Sequence, residues 1–366
     1  MYGISIYPNK EERQETLDYI KLAGSLGYKR IFSSLLFDES PTPEEIDQFR
    51  VPLKYARELG FEVVLDVNPT TYTALGISET DLTFFKELGA TGVRLDTNFD
   101  GLIESIMTFD SSGIDIELNI SNDTGTIENI FSYQSNRRRL IGCHNFYPQR
   151  FTGLDTEYFI KCSKKYKKMG LRTAAFVTSQ VATICPLEYN DKLPSLEEHR
   201  DLDIVTQAKH LIALGLIDDI IISNSFASEA ELKALASLSE SSITLNVDFH
   251  ESVNEVEKEI ALENLHFRRG DINSYSIRST FVKLKYQKTA DLPVGNTPKI
   301  LKPGNITIGN NSFGQYKAEL KIILKEMENI DGMQNVIGNI PEREMFLLDY
   351  INPWTKFVFE EEAING

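Results

Sequence analysis

The stretch Arg57-Glu58-Leu59-Gly60-Phe61-Glu62-Val63-Val64-Leu65-Asp66-Val67 and its counterpart at 86–96, KELGATGVRLD, carry one plan: a charged helix end, a glycine, then an apolar run that reaches an aspartate. A residue without Cβ takes the left-handed conformation that stops a helix and turns the chain into a strand. Outward from these two copies the plan recurs, with Gly27, Gly60, Gly89, Gly113, Gly170 and Gly215 as the stops. The predicted strands are Gly3 to Tyr7, Arg30 to Phe37, Glu62 to Val67, Gly92 to Asp96, Asp115 to Ile120, Leu140 to Phe146, Arg172 to Thr178 and Asp219 to Ser223. Eight βα units within about 240 residues fit a closed (β/α)8 TIM barrel better than an open doubly wound sheet. The alternative is an open sheet with one or two of these runs misassigned; no GxGxxG or Walker sequence supports it.

After residue 242 the rhythm changes. Ile243 to Phe249, SYSIRSTFVKLKYQ, KPGNITIGNNSFGQY, NVIGNI and WTKFVFE read as strands, with a helix over Val253 to Leu265. The expected organisation is a catalytic barrel over 1–242 and a smaller, mostly β domain over 243–366, giving an α/β protein overall. Two domains also suit a length of 366 residues, more than one hydrophobic core usually organises.

The 38 basic and 54 acidic residues give a net charge of −16, which repels a phosphate backbone or an anionic membrane surface over most of the protein. No nucleic-acid or membrane partner is therefore expected, and an anionic ligand needs a local cluster of arginines. Cys143, Cys162 and Cys185 are odd in number and lack CxxC spacing, so neither a disulfide framework nor a zinc site is indicated. Met1 leads directly into an apolar run, with no basic leader and no long apolar stretch; a soluble, cytoplasmic protein is expected.

In a barrel the chemistry sits at the C-terminal ends of the strands. Strand three ends on Asp66 and Asn68, strand four on Arg94 and Asp96, strand five on Asn119 and Ser121, and strand six on His144, Asn145 and Tyr147. Period-two alternation sets Asp66 with Asn68, Arg94 with Asp96, and Glu117 with Asn119 and Ser121 on common faces. Several polar groups over one mouth suit a sugar or phosphosugar. Each has a plainer reading: Asp66 and Asp96 as caps or turn residues, Arg94 with Asp96 as an internal ion pair, His144 as a core histidine, Cys143 as a strand residue facing the helices. In the long loop after strand seven, Ser195 and Glu198 have capping-box spacing. That spacing sets Glu197, His199 and Arg200 in a first helical turn, available to an anion or simply solvated.

The stretches GISIYP (3–8), HNFYPQRFTGL (144–154), LPSLEEHR (193–200), HFRRGDINSYSIRS (266–279) and NPWTKFVF (352–359) together resemble the bacterial 6-phospho-N-acetylmuramidases. The resemblance spans essentially the whole chain. It implies a TIM barrel followed by a cyclophilin-like domain, and cleavage of the N-acetylmuramic acid 6-phosphate–N-acetylglucosamine disaccharide during cell-wall recycling. Such a substrate carries a phosphate and a lactyl carboxylate, for which Arg150, Arg200, Arg268 and Arg278 are the candidate partners; the last two serve equally as an ion network. Glycoside cleavage needs carboxyl groups, and Asp66, Asp96 and Glu39 are the candidates. Asn119, His144, Asn145, Tyr147, Glu197 and His199 are candidates for the sugar's polar groups. No cofactor or metal is required, and the oligomeric state is open. Two other readings remain: a metal-dependent phosphosugar aldolase or isomerase on the same barrel, and a non-catalytic sugar-phosphate sensor.

Overall fold

The computed structural model describes residues 1–37 and 40–362, in two compact units, Met1–Ser237 and Leu238–Gly366. In the first, eight parallel strands close into a barrel in chain order: β1 (Tyr2–Ser5), β2 (Arg30–Ser34), β3 (Glu62–Val67), β4 (Gly92–Leu95), β5 (Asp115–Asn119), β6 (Leu140–Cys143), β7 (Arg172–Val177) and β8 (Asp219–Ile222). Tyr2 to Ile4 on β1 pair with Ile220 to Ile222 on β8, which completes the closure and excludes the open sheet. Around it run α1 (Arg13–Ser25), α2 (Pro43–Glu58), α3 (Pro69–Leu75), α4 (Thr83–Leu88), α5 (Leu102–Met107), α6 (Thr126–Ser132), α7 (Thr156–Lys168), α8 (Ile204–Leu214) and α9 (Glu229–Ser237). Among the described residues, no helix is long and apolar enough to cross a membrane.

Local chemistry explains the boundaries. All six glycines that mark helix stops in the sequence have positive φ. At Gly89 (φ 114°) an added Cβ would also lie 3.1 Å from the Leu53 backbone, so α4 can turn into β4 against α2 only on a glycine. At the other end of a helix, the Asp155 carboxylate accepts from the Glu157 and Tyr158 N–H groups and starts α7.

The barrel interior is built in two layers of different chemistry. Tyr7, Phe32, Cys143, Ala174, Phe176 and Ile221 form an apolar cluster, in which Phe32 meets Phe176 edge-on at 5.1 Å. Cys143 thus faces the barrel interior, correcting the expectation that it faces the helices. His144, one residue on, takes the helix side instead. The second layer is charged. Arg30, fully buried, bonds Asp219 through Nη1 and Glu117 through Nη2, and Arg172 Nε adds a 2.7 Å contact to Asp219. Burial opposes the Arg30 charge, but the attraction of Glu117 and Asp219 outweighs it and raises its pKa.

The second unit follows the barrel as a mostly β domain. Its strands are β9 (Ile243–Phe249), β10 (His266–Phe267), β11 (Ser276–Ser279), β12 (Ile300–Leu301), β13 (Asn305–Gly309), β14 (Leu320–Ile323), β15 (Met327–Glu328), β16 (Gln334–Asn339) and β17 (Lys356–Glu361). Seven make one sheet in the order β10-β17-β9-β16-β13-β14-β11, and β12 pairs with β15. The helix expected over 253–265 is α10 (Glu255–Leu262), capped by Asn254. SYSIRSTFVKLKYQ is only partly strand: β11 stops at Ser279, opposite Leu320, where its antiparallel partner β14 begins, and the rest includes a short helix α11 (Lys283–Tyr286). Alternation at a sheet edge without a further partner strand does not extend the strand.

Removing one member of a buried ion cluster leaves the others uncompensated, at a cost of about 3–5 kcal/mol. Arg30→Ala, which strands Glu117 and leaves Asp219 with Arg172 alone, is expected to lower the unfolding free energy of the barrel by that amount in urea titration; a change within experimental error refutes the role given to the cluster.

Candidate active site

At the C-terminal mouth of the barrel a cavity of about 420 Å³ is lined by Ser34, Asp66, Asn68, Arg94, Asp96 and Asn145, with Phe146 as an apolar wall. Register explains the convergence. Ser34 lies beside Asp66, and Asp66 beside Arg94, on adjacent strands β2, β3 and β4. These in-register neighbours point the same way, into the barrel, because side chains alternate along each strand.

Arg94 organises the group. Its Nη1 bonds Asp66 Oδ1 at 2.5 Å and Asp96 Oδ1 at 3.4 Å, and its Nη2 bonds the Asn145 side-chain oxygen. The two carboxylates differ in setting: the Asp66 side chain is 9% exposed and that of Asp96 43%. Burial pushes the Asp66 carboxyl up to about 6; Arg94 opposes that shift and the nearby Asp96 charge adds to it. The site therefore holds one carboxyl that exchanges its proton near neutrality beside a second, more solvated one.

Of the expected site residues, Asp66, Asp96 and Asn145 meet in this cavity, and Asn119 stands next to it, its Nδ2 donating to the Asp96 carbonyl at 3.4 Å. Glu39 lies outside the described residues. The structure does not bring His144 to the cavity: it stacks on Phe159 at 4.0 Å and bonds Ser163 at 2.8 Å, and burial lowers its pKa to about 3, leaving a neutral imidazole. Tyr147 is a neighbour of Ser121, and burial raises its hydroxyl pKa.

The remaining residues of HNFYPQRFTGL and LPSLEEHR hold the mouth loops together. Arg200, almost fully buried, donates to the carbonyls of Tyr147, Gln149, Asp191 and Lys192 and to Glu197. Glu197 also accepts from the N–H groups of Phe151 at 2.8 Å and Gly153 at 2.7 Å. Although burial works against its charge, these bonds lower its pKa to about 2. Arg150 pairs with Asp191 and Asp201, both at 2.7 Å. The capping box expected at Ser195 and Glu198 does not form. Ser195 Oγ instead donates to the Asn145 carbonyl and accepts from Phe176 N–H, tying the loop to β7, and α8 begins later, on Asp203. In the second unit Arg268 donates to the carbonyls of Ile351 and Asn273, and Arg278 pairs with Glu319.

Sequence reading missed two features of the cavity. Arg94 figured as a polar strand end and as a partner of Asp96, whereas it ties three cavity residues together, and Ser34 was not singled out at all. The spacing that marks strand ends in β3 and β4 applies equally to β2, and was the available signal. For metal ions, Glu198, His199 and His210 are the one group among the described residues whose donor atoms converge, within 4.8 Å of one another. The two rings are fully buried and share a 2.9 Å hydrogen bond, and burial lowers the pKa of both, that of His210 to about 4. None of the three lines the cavity.

The family model described as "6-phospho-N-acetylmuramidase, N-terminal" matches residues 2–237, and the C-terminal model of the same family matches 243–360. The chain belongs to the 6-phospho-N-acetylmuramidase family. A glycosidase acting on a phosphorylated muramic acid sugar is what that membership supports. Among solved structures, an uncharacterized B. cereus protein is 49% identical, covers 98% of this chain and 99% of its own, and superposes with a TM-score of 0.90. A conserved Enterococcus faecalis protein of unknown function is 25% identical over 99% of this chain and 97% of its own, with a TM-score of 0.70. The comparison with curated proteins returned no match.

A carboxylate whose pKa is depressed in the fold stabilises it above its unfolded pKa, about 4.3 for Glu, and loses that effect as pH falls through the folded value, here about 2. Glu197→Gln is therefore expected to lower the melting temperature at pH 7, and the gap to the native protein is expected to close as pH falls from about 4 toward 2. A gap that is constant over that range contradicts the role of the Glu197 charge.

Proposed function

We propose that this family member hydrolyses the bond between N-acetylmuramic acid 6-phosphate and N-acetylglucosamine in the cytoplasm, as a step of peptidoglycan recycling, with Asp66 as the proton donor. The observation that carries the reading is the buried Asp66 carboxyl, its pKa raised to about 6 beside the more exposed Asp96 in a polar cavity. Cleavage of a glycosidic bond requires an acid that protonates the departing oxygen and a negative group that stabilises the positive anomeric carbon. Asp66 supplies the first and Asp96 the second. The two oxygens that share Arg94 Nη1 cannot reach the separation of about 6.5–9.5 Å used by inverting enzymes, given contacts of 2.5 and 3.4 Å to that nitrogen. This favours Asp96 acting directly on the sugar, or orienting the substrate's own acetamido oxygen for attack. Ser34, Asn68 and Asn145 offer hydrogen bonds to ring substituents, with Arg94 as the cavity's fixed cation. All three cysteines are buried and unpaired, the state a reducing cytoplasm maintains.

The test is incubation with the 6-phosphorylated muramyl–glucosaminyl disaccharide and its unphosphorylated twin, with products followed by mass spectrometry. Cleavage of the phosphorylated sugar alone is expected; binding without turnover of either moves the reading to a sensor. The protonated form of Asp66 is the active acid, so kcat/KM is expected to fall as pH rises through about 6. Asp66→Asn is expected to lower kcat by about 10²–10⁴, the usual contribution of a general acid. A flat profile from pH 5 to 8, or full activity in that variant, rules Asp66 out as the donor.

A further inference from the structure

The second unit holds a pocket that the barrel chemistry leaves unused. Its volume is about 540 Å³, and its lining includes Arg269, Gly270, Asp271, Phe281, Lys283 and Trp354. Four of these fall in the two second-domain stretches, HFRRGDINSYSIRS and NPWTKFVF, that resemble the family and that the barrel site does not use.

Its rings are arranged as a platform. Phe267 stacks on Trp354 with centroids 5.9 Å apart and planes at 30°, and packs on Phe281 at 5.0 Å and 36°. Trp354 and Phe281 nevertheless remain 54% and 50% exposed, although aromatic rings of this size are ordinarily taken out of water. The backbone is shaped to keep the indole there. Trp354 has φ of 67°, a conformation that bulky side chains rarely adopt and that collects at ligand sites. A Cβ on Gly270 would lie 2.6 Å from the indole Cζ2, so only glycine lets the ring settle at that place. Beside the rings, Arg269 Nε bonds Asp271, and both side chains stay open to solvent, at 42% and 61% exposure. Flat apolar faces next to a donor and an acceptor match a pyranose ring, which has a C–H face and a hydroxyl edge. In a chain of net charge −16, Arg269 is the cation on this lining that stays open to an anionic substituent, whereas Lys283 Nζ donates to the Gln315 carbonyl at 3.0 Å and lies 3.7 Å from Glu319.

We propose that this pocket binds one pyranose ring of an acidic amino sugar, its C–H face on Trp354 and Phe281 and its phosphate or carboxylate at Arg269. The choice of an amino sugar rests on the glycosidase reading above. Trp354 is the one tryptophan in the sequence, so intrinsic tryptophan emission reports on this pocket. Titration of the full-length protein with N-acetylmuramic acid 6-phosphate is expected to shift the emission to the blue in a saturable way. Arg269→Gln and Phe281→Ala, both partly exposed positions that keep the tryptophan, are expected to weaken the half-saturation concentration at least tenfold while circular dichroism stays unchanged. An emission that does not saturate, or one that neither variant moves, overturns the proposal; equal affinity for neutral N-acetylglucosamine overturns the assignment of the anion to Arg269. Disaccharide cleavage measured in parallel separates the two readings. Turnover with silent emission removes only the pocket, and saturable emission without turnover removes only the glycosidase.

Discussion

The positive charge of Arg94 is what allows two aspartates to stand at one barrel mouth. Burial penalises the Asp66 carboxylate, and the guanidinium 2.5 Å away is the largest influence opposing that penalty. Arg94 is itself buried, and Asp66 leads the negative neighbours that keep it charged. The dependence runs further down the barrel. Glu117 is the in-register neighbour of Arg94 on β5, and it is also the partner of Arg30, which in turn holds Asp219 on β8. Alternating charges thus cross the barrel interior, where such folds ordinarily stack branched apolar residues. Members of such a network are coupled, so the effect of changing two of them is not the sum of the single changes.

The mouth is kept in shape by loops that bind each other rather than by the strands alone. Segments 144–154 and 191–201 meet through Arg200, which satisfies carbonyls on both, and through Glu197, which accepts the N–H groups of Phe151 and Gly153. Long connections leave backbone groups without partners unless side chains supply them. Here a buried arginine and a carboxylate supply them, and the Arg150 pairs with Asp191 and Asp201 add a more exposed clasp. This arrangement gives Arg150, Arg200 and Glu197 protein partners within the mouth loops.

Six of the eight barrel strands were legible in the sequence because each follows a glycine stop, a signal that acts within a few residues; β1 and β6 showed only as apolar runs that lead into polar loops. The placement of Asp66 and Asp96 was legible for a related reason: both close apolar strands and share the alternation that points Asp66 and Arg94 into the barrel. What stayed hidden was set by distant partners. Arg150 finds its aspartates 41 and 51 residues away, and no local spacing distinguishes such an arginine from one waiting for a phosphate. Cys143 and His144 exchanged their expected sides because β6 is buried on both faces, and a strand covered on both sides carries no alternation to read. Ser195 and Glu198 had the spacing of a cap, but Ser195 was already committed to Asn145 and Phe176 across the loop.

On the proposed glycosidase reading, the difference in exposure between the two aspartates divides their work. A general acid must hold a proton at the pH of the cell and release it to a departing oxygen, which suits a carboxyl shielded from water and raised toward neutrality. A group that meets positive charge at the anomeric carbon must stay ionised, which suits the more solvated position of Asp96 next to the same guanidinium. Exchanging the two roles asks the more buried group to carry the charge and the more solvated one to carry the proton. The proposed assignment of Asp66 as donor and Asp96 as stabiliser is therefore the one that burial and solvation favour, with the attraction of Arg94 for the Asp66 carboxylate acting against it.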